Sequence, residues 1–279
     1  MTKKFFIMGL RVLIYIFAAI GLLLVAGYFA VKFGLTNEKG IIDVQREGFL
    51  GAQVAHLAPL HEVAPNVPWK DSQEWEVLSS ALTRDEAVLN KAAADSGVPA
   101  RLIAANLVGE QLRLFFTERE FYKQFFYPLK ILGSQTQFSW GVMGMKEDTA
   151  VLVEQYLKDP SSPFYPGAQY EHLLDFQTTD IEGERFARMT DQHNHYWSYL
   201  YAGLYIKEIE AQWQNAGFPI DGNVAILSTL YNIGFSHSNP NPNPQVGGAA
   251  ITAGNQTFSF GGLAADFYHS DFLTDILPK

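Results

Sequence analysis

Cysteine is absent from the 279-residue chain, which excludes disulfides, thiolate nucleophiles and cysteine metal sites. Basic residues are also scarce, since 20 Lys and Arg stand against 29 Asp and Glu for a formal net charge of -9. Nucleic-acid binding relies on clustered Lys and Arg, so this balance argues against a nucleic-acid partner. Only 18% of the residues are charged and 48% are hydrophobic, which is typical of a packed globular protein and not of a disordered one.

One uncharged run near the N-terminus is long enough to cross a membrane. It covers residues 12–31 and follows three cations, Lys3, Lys4 and Arg11. About 20 helical residues span the ~30 Å hydrocarbon layer, whereas the apolar part of a secretory signal is shorter. We therefore expect an uncleaved, single-pass anchor over residues 1–32 in the cytoplasmic membrane. The positive-inside rule then puts the rest of the chain on the periplasmic or extracellular side.

After the anchor, prolines and glycines interrupt residues 33–70, which predicts a stalk, and we expect the folded domain over residues 71–279. Helical periodicity dominates this domain and alternating β-branched runs are scarce, so the fold class is predicted to be mainly α. The stretch from His237 to Gly248 is rich in proline and glycine and is predicted to be a loop. The predicted helices are one capped by Thr83 and ended by Gly97, one with Pro99 in its first turn, Lys146–Lys158, one across Glu184–Trp213, Asn223–Tyr231 and Leu263–Tyr268.

The second of these helices carries one carboxylate among apolar residues. Glu110 lies three residues after Leu107 and four before Leu114, so it projects from the apolar face or its edge. Low dielectric and the negative end of the helix dipole both favour the neutral form of the carboxyl group. A glycosidase that works near neutral pH needs such a protonated acid. The alternative is an ordinary helix-end glutamate, solvated or paired with Arg113, a pair worth only about 0.2–0.5 kcal/mol.

Two later stretches accompany Glu110 in a characteristic order. They are FSWGVMGMKEDTA at Phe138–Ala150 and LSTLYNIG at Leu227–Gly234. With the glutamate late in its apolar helix, they resemble the lytic transglycosylase and goose-type lysozyme superfamily of peptidoglycan-cleaving enzymes, as a distant member. The resemblance implies a lysozyme-like transglycosylase domain behind the N-terminal anchor, with peptidoglycan glycan strands as the partner and no cofactor or metal.

The resemblance also implies roles for individual residues. Glu110 would be the catalytic acid and base that cuts the β-1,4 bond between N-acetylmuramic acid and N-acetylglucosamine. A single glutamate suffices if the substrate's own N-acetyl and 6-hydroxyl groups complete the reaction as a 1,6-anhydro product. Tyr231 would help to position Glu110. The implied substrate-binding residues are Gln111, Ser139, Gly141, Val142, Met143, Tyr231 and Asn232.

Three features depart from the family pattern. Gln111 replaces the serine that usually follows the glutamate, Gly144 stands where the turn has its glutamine, and the segment between Glu110 and Ser139 is longer than usual. The missing glutamine supports an alternative function. The chain would then be a non-catalytic peptidoglycan-binding or scaffold protein that keeps the fold within a cell-envelope assembly.

Several of these residues also have purely structural interpretations. Tyr231 and Asn232 would suit a buried tyrosine and a helix C-cap, and Met143 would suit core filling. His193 and His195 do not share a helix face, so no metal site is predicted from them. A hydrolase would need a second carboxylate, and the nearest in sequence, which also suit solvated helix faces and N-caps, are Glu118, Glu120, Glu147 and Asp148.

Overall fold

Helices make up most of the structured backbone, which confirms the mainly α fold class. The computed structural model describes residues 68–116, 139–253 and 256–279, together with residues 15, 17, 21, 22, 25, 26, 49 and 50. The helices are α1 (Gln73–Arg84), α2 (Glu86–Ser96), α3 (Ala100–Phe116), α4 (Glu147–Tyr156), α5 (Ile181–Thr190), α6 (Tyr196–Asn215), α7 (Val224–Ile233) and α8 (Phe260–His269).

Two short antiparallel hairpins complete the fold. Strands β1 (Ser139–Trp140) and β2 (Met145–Lys146) form the first, with Trp140 opposite Met145. Strands β3 (Ala250–Ala253) and β4 (Gln256–Ser259) form the second. The first hairpin leads directly into α4, so its turn is held between that helix and the core.

Helix α3 lies at the centre of the domain and packs against α1, α2, α6, α7, α8 and β3. Every residue from Arg101 to Leu114 is buried as a result. A helix that is surrounded on all sides is normally apolar all round, yet α3 buries five polar side chains. They are Arg101, Asn106, Glu110, Gln111 and Arg113.

Most predicted helix boundaries are confirmed to within a few residues. Helix α2 ends at Gly97, which adopts the left-handed conformation with φ 68°, a common helix C-terminus. Helix α7 begins after Asn223, whose side chain accepts a hydrogen bond from the Ile226 amide. Residues 238–249 form no helix or strand, as predicted for that loop.

Two helix predictions are wrong. Thr83 does not cap α2, because it lies inside the additional helix α1, where its hydroxyl donates to the Ser79 carbonyl. The helix across Glu184–Trp213 is two helices, broken at residues 191–195. The side chain of Asp191 accepts hydrogen bonds from the amides of His193 and Asn194, and such Asx turns compete with helix continuation.

The predicted membrane anchor over residues 12–31 lies largely outside the described residues. Those that are described between residues 15 and 26 are helical. Within the part of the chain that the structure describes, no helix is both long enough and apolar enough to span a membrane. The anchor stays a prediction.

A short piece of the predicted stalk is seated on the domain. Phe49 and Leu50 are buried, and the Arg84 guanidinium donates to the Phe49 carbonyl oxygen at 2.6 Å. The Phe49 ring meets the His195 ring edge to face, with 5.2 Å between centroids. His195 is held in turn by Asp85, with 2.6 Å between Nδ1 and Oδ2. The start of α2 and the start of α6 therefore form a seat for residues 49 and 50.

Candidate active site

Glu110 lies in the second half of α3 and its side chain is completely buried. Its carboxylate forms a two-point ion pair with Arg113, one turn further along the helix. The Nη2–Oε1 distance is 2.5 Å and the Nε–Oε2 distance is 3.2 Å. Arg113 is itself only 3% exposed. The ion pair considered as a surface alternative in the sequence is present, but it is buried in the core and is far less screened there.

The turn of the first hairpin lies directly on this carboxylate. Gly144 has φ +61°, and a Cβ atom added to it would stand 2.3 Å from Oε1 of Glu110. The turn is fixed from two sides, because Nε2 of Gln111 donates to the Val142 carbonyl at 2.7 Å and the Tyr231 hydroxyl donates to the Met143 carbonyl at 3.0 Å. Residues from all three motifs therefore meet around Glu110.

Gly144 also lines a pocket of about 300 Å³. Tyr205, Tyr231 and Phe235 form an aromatic wall in which Tyr205 contacts both neighbours, with ring centroids 5.1 and 4.4 Å away. Such a mixture of aromatic and polar groups is typical of sites for small polar ligands. The polar side chains around the pocket are Lys146, Asp148, Thr149, Asn232, Ser236 and His237.

The predicted substrate-binding residues are placed at different depths. Tyr231 and Asn232 line the pocket, whereas Val142 and Met143 are buried in the core. Gly141 packs against the Met189 carbonyl and the Ser198 hydroxyl instead. The pocket-lining part of the turn motif is thus Gly144 to Lys146, three residues later than the stretch predicted from the sequence. Two further predicted residues complete this account: Gln111 is buried and bonded to the turn, and Ser139 begins β1.

Tyr231 supplies a neutral donor beside Glu110. Burial, and then the charge of Glu110, raise the pKa of Tyr231 well above its ordinary value of 10. Its hydroxyl therefore keeps its proton at all physiological pH values and bonds the turn. Asn232, the next residue, accepts a hydrogen bond from the Ala249 amide at 2.8 Å, which ties the end of α7 to the chain leading into β3.

The two described candidates for a second carboxylate lie in different places, one at the pocket and one in an ion pair. Asp148 lines the pocket from the first turn of α4. Glu147 lies 3.7 Å from Arg185 and does not line the pocket, and burial raises its pKa. Glu118 and Glu120 lie outside the described residues.

Sequence reasoning missed several residues of this site. Lys146 and Thr149 line the pocket and lie within the second motif, but no binding role was predicted for them. His237 lines the pocket from outside the motifs, and Arg113 was considered only as a surface partner. His193 is exposed, and His195 is buried and bonded to Asp85. Among the described residues, no cluster of three or more His, Asp or Glu side chains could hold a metal ion.

A second buried carboxyl group lies behind the aromatic wall. Glu208 is on α6, three residues after the pocket residue Tyr205, and is fully buried. Neither of its oxygens has a hydrogen-bond partner among the described residues. Burial raises the pKa of Glu208 well above its ordinary value of 4.5, so the folded protein holds it as a neutral acid.

Replacing Glu208 by glutamine should make the protein more stable at neutral and alkaline pH. The folded state keeps the Glu208 proton above pH 4.5, where the unfolded chain releases it, so this group favours folding most below pH 4.5 and less as the pH rises. This contribution is lost progressively as the pH rises from 4.5 toward the raised pKa of Glu208 in the folded state. Urea unfolding of the parent and of Glu208→Gln at pH 4, 6 and 8 should therefore give curves that diverge as the pH rises.

The control for this prediction is Glu76→Gln, which removes an exposed carboxylate on α1. It should show no pH-dependent gain. Equal stability of the parent and Glu208→Gln at all three pH values would contradict a neutral Glu208.

Comparison with known proteins adds no relative to this picture. No family model, no curated protein and no solved structure gives a significant match to the chain. The argument for a function therefore rests on the residues and geometry of the site.

Proposed function

We propose that this chain is a membrane-anchored glycosidase of the lytic transglycosylase type, with a lysozyme-like domain that cleaves peptidoglycan outside the cytoplasmic membrane. The observation that carries the proposal is the meeting of three separate motifs at one place. The Glu110 carboxylate lies against Gly144, and Gly144 lines the same pocket as Tyr231 and Asn232. This convergence follows the order of motifs that resembles the lytic transglycosylases.

The proposed reaction needs one carboxyl group from the protein. Glu110 gives its proton to the glycosidic oxygen as the bond from that oxygen to C1 of the muramic acid breaks. The N-acetyl group of the same sugar stabilises the developing positive charge. The 6-hydroxyl then attacks C1 and returns its proton to Glu110, which leaves a 1,6-anhydro sugar and regenerates the acid.

The pocket chemistry suits a glycan substrate. Aromatic rings cover the apolar faces of sugars, while amide, hydroxyl and charged side chains bind their polar edges. Among the residues that line the pocket, Tyr205 and Tyr231 are candidates for the first kind of contact, and Thr149, Asn232 and Ser236 for the second. Because the Glu110 carboxylate is fully covered in this structure, substrate binding must uncover it before the proton can move.

The complete burial of Glu110 also favours the second candidate function, which is binding of peptidoglycan without cleavage. A glutamate that is fully buried and ion-paired with Arg113 would equally suit a protein that binds peptidoglycan without cutting it. In that case the chain would act as a scaffold in a cell-envelope assembly. Lys146, Asn232 and the aromatic wall would then serve binding alone.

Glu110→Gln should abolish peptidoglycan cleavage and leave the fold intact, because the amide keeps the shape of the side chain but cannot donate the acid proton. The test is digestion of purified peptidoglycan by the full-length chain in detergent, with mass spectrometry of the released sugars. Anhydro-muropeptides are expected from the parent and from the surface control Glu76→Gln.

The other outcomes separate the alternatives. Reducing ends from the parent would indicate a hydrolase, and Asp148 would be the pocket carboxylate to replace next. No product from the parent together with retained binding to the wall would favour the scaffold. Undiminished cleavage by pure Glu110→Gln would refute Glu110 as the acid.

A further inference from the structure

The buried ion pair with Arg113 favours the charged form of the Glu110 carboxyl group, whereas the proposed reaction needs its neutral form. A cation bonded to both oxygens of a carboxyl group stabilises its charged form. A general acid, however, must hold its proton until it meets the leaving oxygen. Arg113, at 2.5 and 3.2 Å from the two oxygens, therefore opposes the protonation that the proposed reaction needs.

Three described neighbours of Glu110 are neutral. On α3 itself, the residue next to Glu110 is Gln111, which is neutral and bonded to the turn. The turn contributes Gly144, which has no side chain. Tyr231 faces the carboxylate from α7 and stays neutral. Among these described neighbours, Arg113 is the charged group that acts on Glu110.

We propose that Arg113 is a positioning residue that keeps Glu110 ionised in the resting protein, so that Glu110 takes up a proton from solvent and becomes a proton donor only when a bound substrate separates the two side chains. The first part, that Arg113 keeps Glu110 ionised in the free protein, does not depend on the proposed function. The last step, in which the substrate releases the acid, rests on the proposed function. A glycosidase built in this way stays inactive until its pocket is filled.

The first test reads the Glu110 carboxyl group directly and needs no activity. The full-length chain is labelled with ¹³C at the glutamate side-chain carboxyl carbons, and the Glu110 signal is assigned by its absence from Glu110→Gln. In the parent this carboxyl should titrate at least about one pH unit below the exposed glutamates, the lower end of the effect of an adjacent cation. A titration midpoint at or above that of the exposed glutamates would overturn the proposal.

The second test uses the pH dependence of cleavage in two variants. Arg113→Gln removes the charge and leaves Glu110 as a buried carboxyl without its cation, so the acid form should persist to higher pH. The alkaline limb of the kcat/KM profile should move up by more than about one pH unit. Arg113→Lys keeps the charge and should leave that limb where it is in the parent.

The outcomes distinguish this inference from the proposed function. A general loss of activity in Arg113→Gln with an unmoved alkaline limb would mean that Arg113 has only a structural role. If the parent shows no cleavage, the proposed function fails, and the carboxyl titration still decides whether Arg113 holds Glu110 ionised. If Arg113→Gln does not fold, the titration of the parent decides the same question.

Discussion

Replacing Arg101 by methionine should lower the free energy of unfolding by about 3 kcal/mol or more, since each buried carbonyl left without a donor costs about 1–3 kcal/mol. Arg101 is fully buried on α3, and its five N–H donors are all used. The acceptors are backbone carbonyl oxygens near the C-terminus. They belong to Phe267, Tyr268, Ser270, Phe272 and Leu277, at 2.7 to 3.1 Å.

The reason for so large an effect is the position of these carbonyls. The last carbonyl groups of a helix have no partner within it, and a cation is favoured at the negative end of the helix dipole. Arg101 fills this role for α8 and for the chain that follows. Methionine would remove the guanidinium donor from all five carbonyls, although Phe267 would keep the Ser270 amide and hydroxyl as donors. A buried polar group left unsatisfied costs about 1–3 kcal/mol.

Urea unfolding followed by circular dichroism measures this loss. Arg101→Lys should be intermediate, because an ammonium group offers three donors in place of five. Lys158→Met removes a surface cation paired with Asp175 and should change stability little. If Arg101→Met unfolded at the same urea concentration as Lys158→Met, the C-terminal carbonyls would not depend on Arg101.

The second large effect is expected for Gly144→Ala. This substitution should abolish cleavage and lower the free energy of unfolding by about 2–4 kcal/mol. Part of the cost is conformational, since φ +61° disfavours any residue with a Cβ by about 1–2 kcal/mol. The rest is steric. The new methyl group would lie 2.3 Å from Oε1 of Glu110, so the carboxylate or the turn would have to move.

A matched control separates the two contributions. Gly222 has a similar conformation, φ +74°, but a Cβ atom there would meet nothing within 4 Å. Gly222→Ala should therefore show the conformational cost alone and keep full activity. Equal stability of the two variants, with cleavage retained in Gly144→Ala, would mean that the turn does not press on the carboxylate.

The fold was predictable wherever local chemistry defines an element. Gly97 and Asn223 mark helix ends by their own conformational and capping preferences, and both predictions are confirmed. Helix α1 had a readable signal, since Ser72 caps it by accepting from the Trp75 amide. The break at residues 191–195 was harder to predict, because apolar periodicity continues on both sides and only the Asx turn at Asp191 interrupts it.

The sequence indicated the order of the motifs that form the site, but it did not indicate that Glu110 and Arg113 form a buried ion pair. A glutamate and an arginine three residues apart normally form a solvated pair. In this fold Glu110 and Arg113 are instead buried, on a helix that packs against α1, α2, α6, α7 and α8. That enclosure depends on residues far away in sequence. Lys146 and His237 are likewise brought to one pocket by the tertiary fold although they are far apart in sequence.

If residues 12–31 form the predicted anchor, the seat for Phe49 and Leu50 shortens the tether between the anchor and the domain. From a proposed anchor that ends at Val31, the whole linker to residue 67 could reach about 125 Å when fully extended. While Phe49 is seated, only the 17 residues from Lys32 to Gly48 separate the anchor from the domain, and their reach is about 60 Å. With the proposed anchor and substrate, docking of two residues would thus halve the radius within which the pocket could reach a glycan strand.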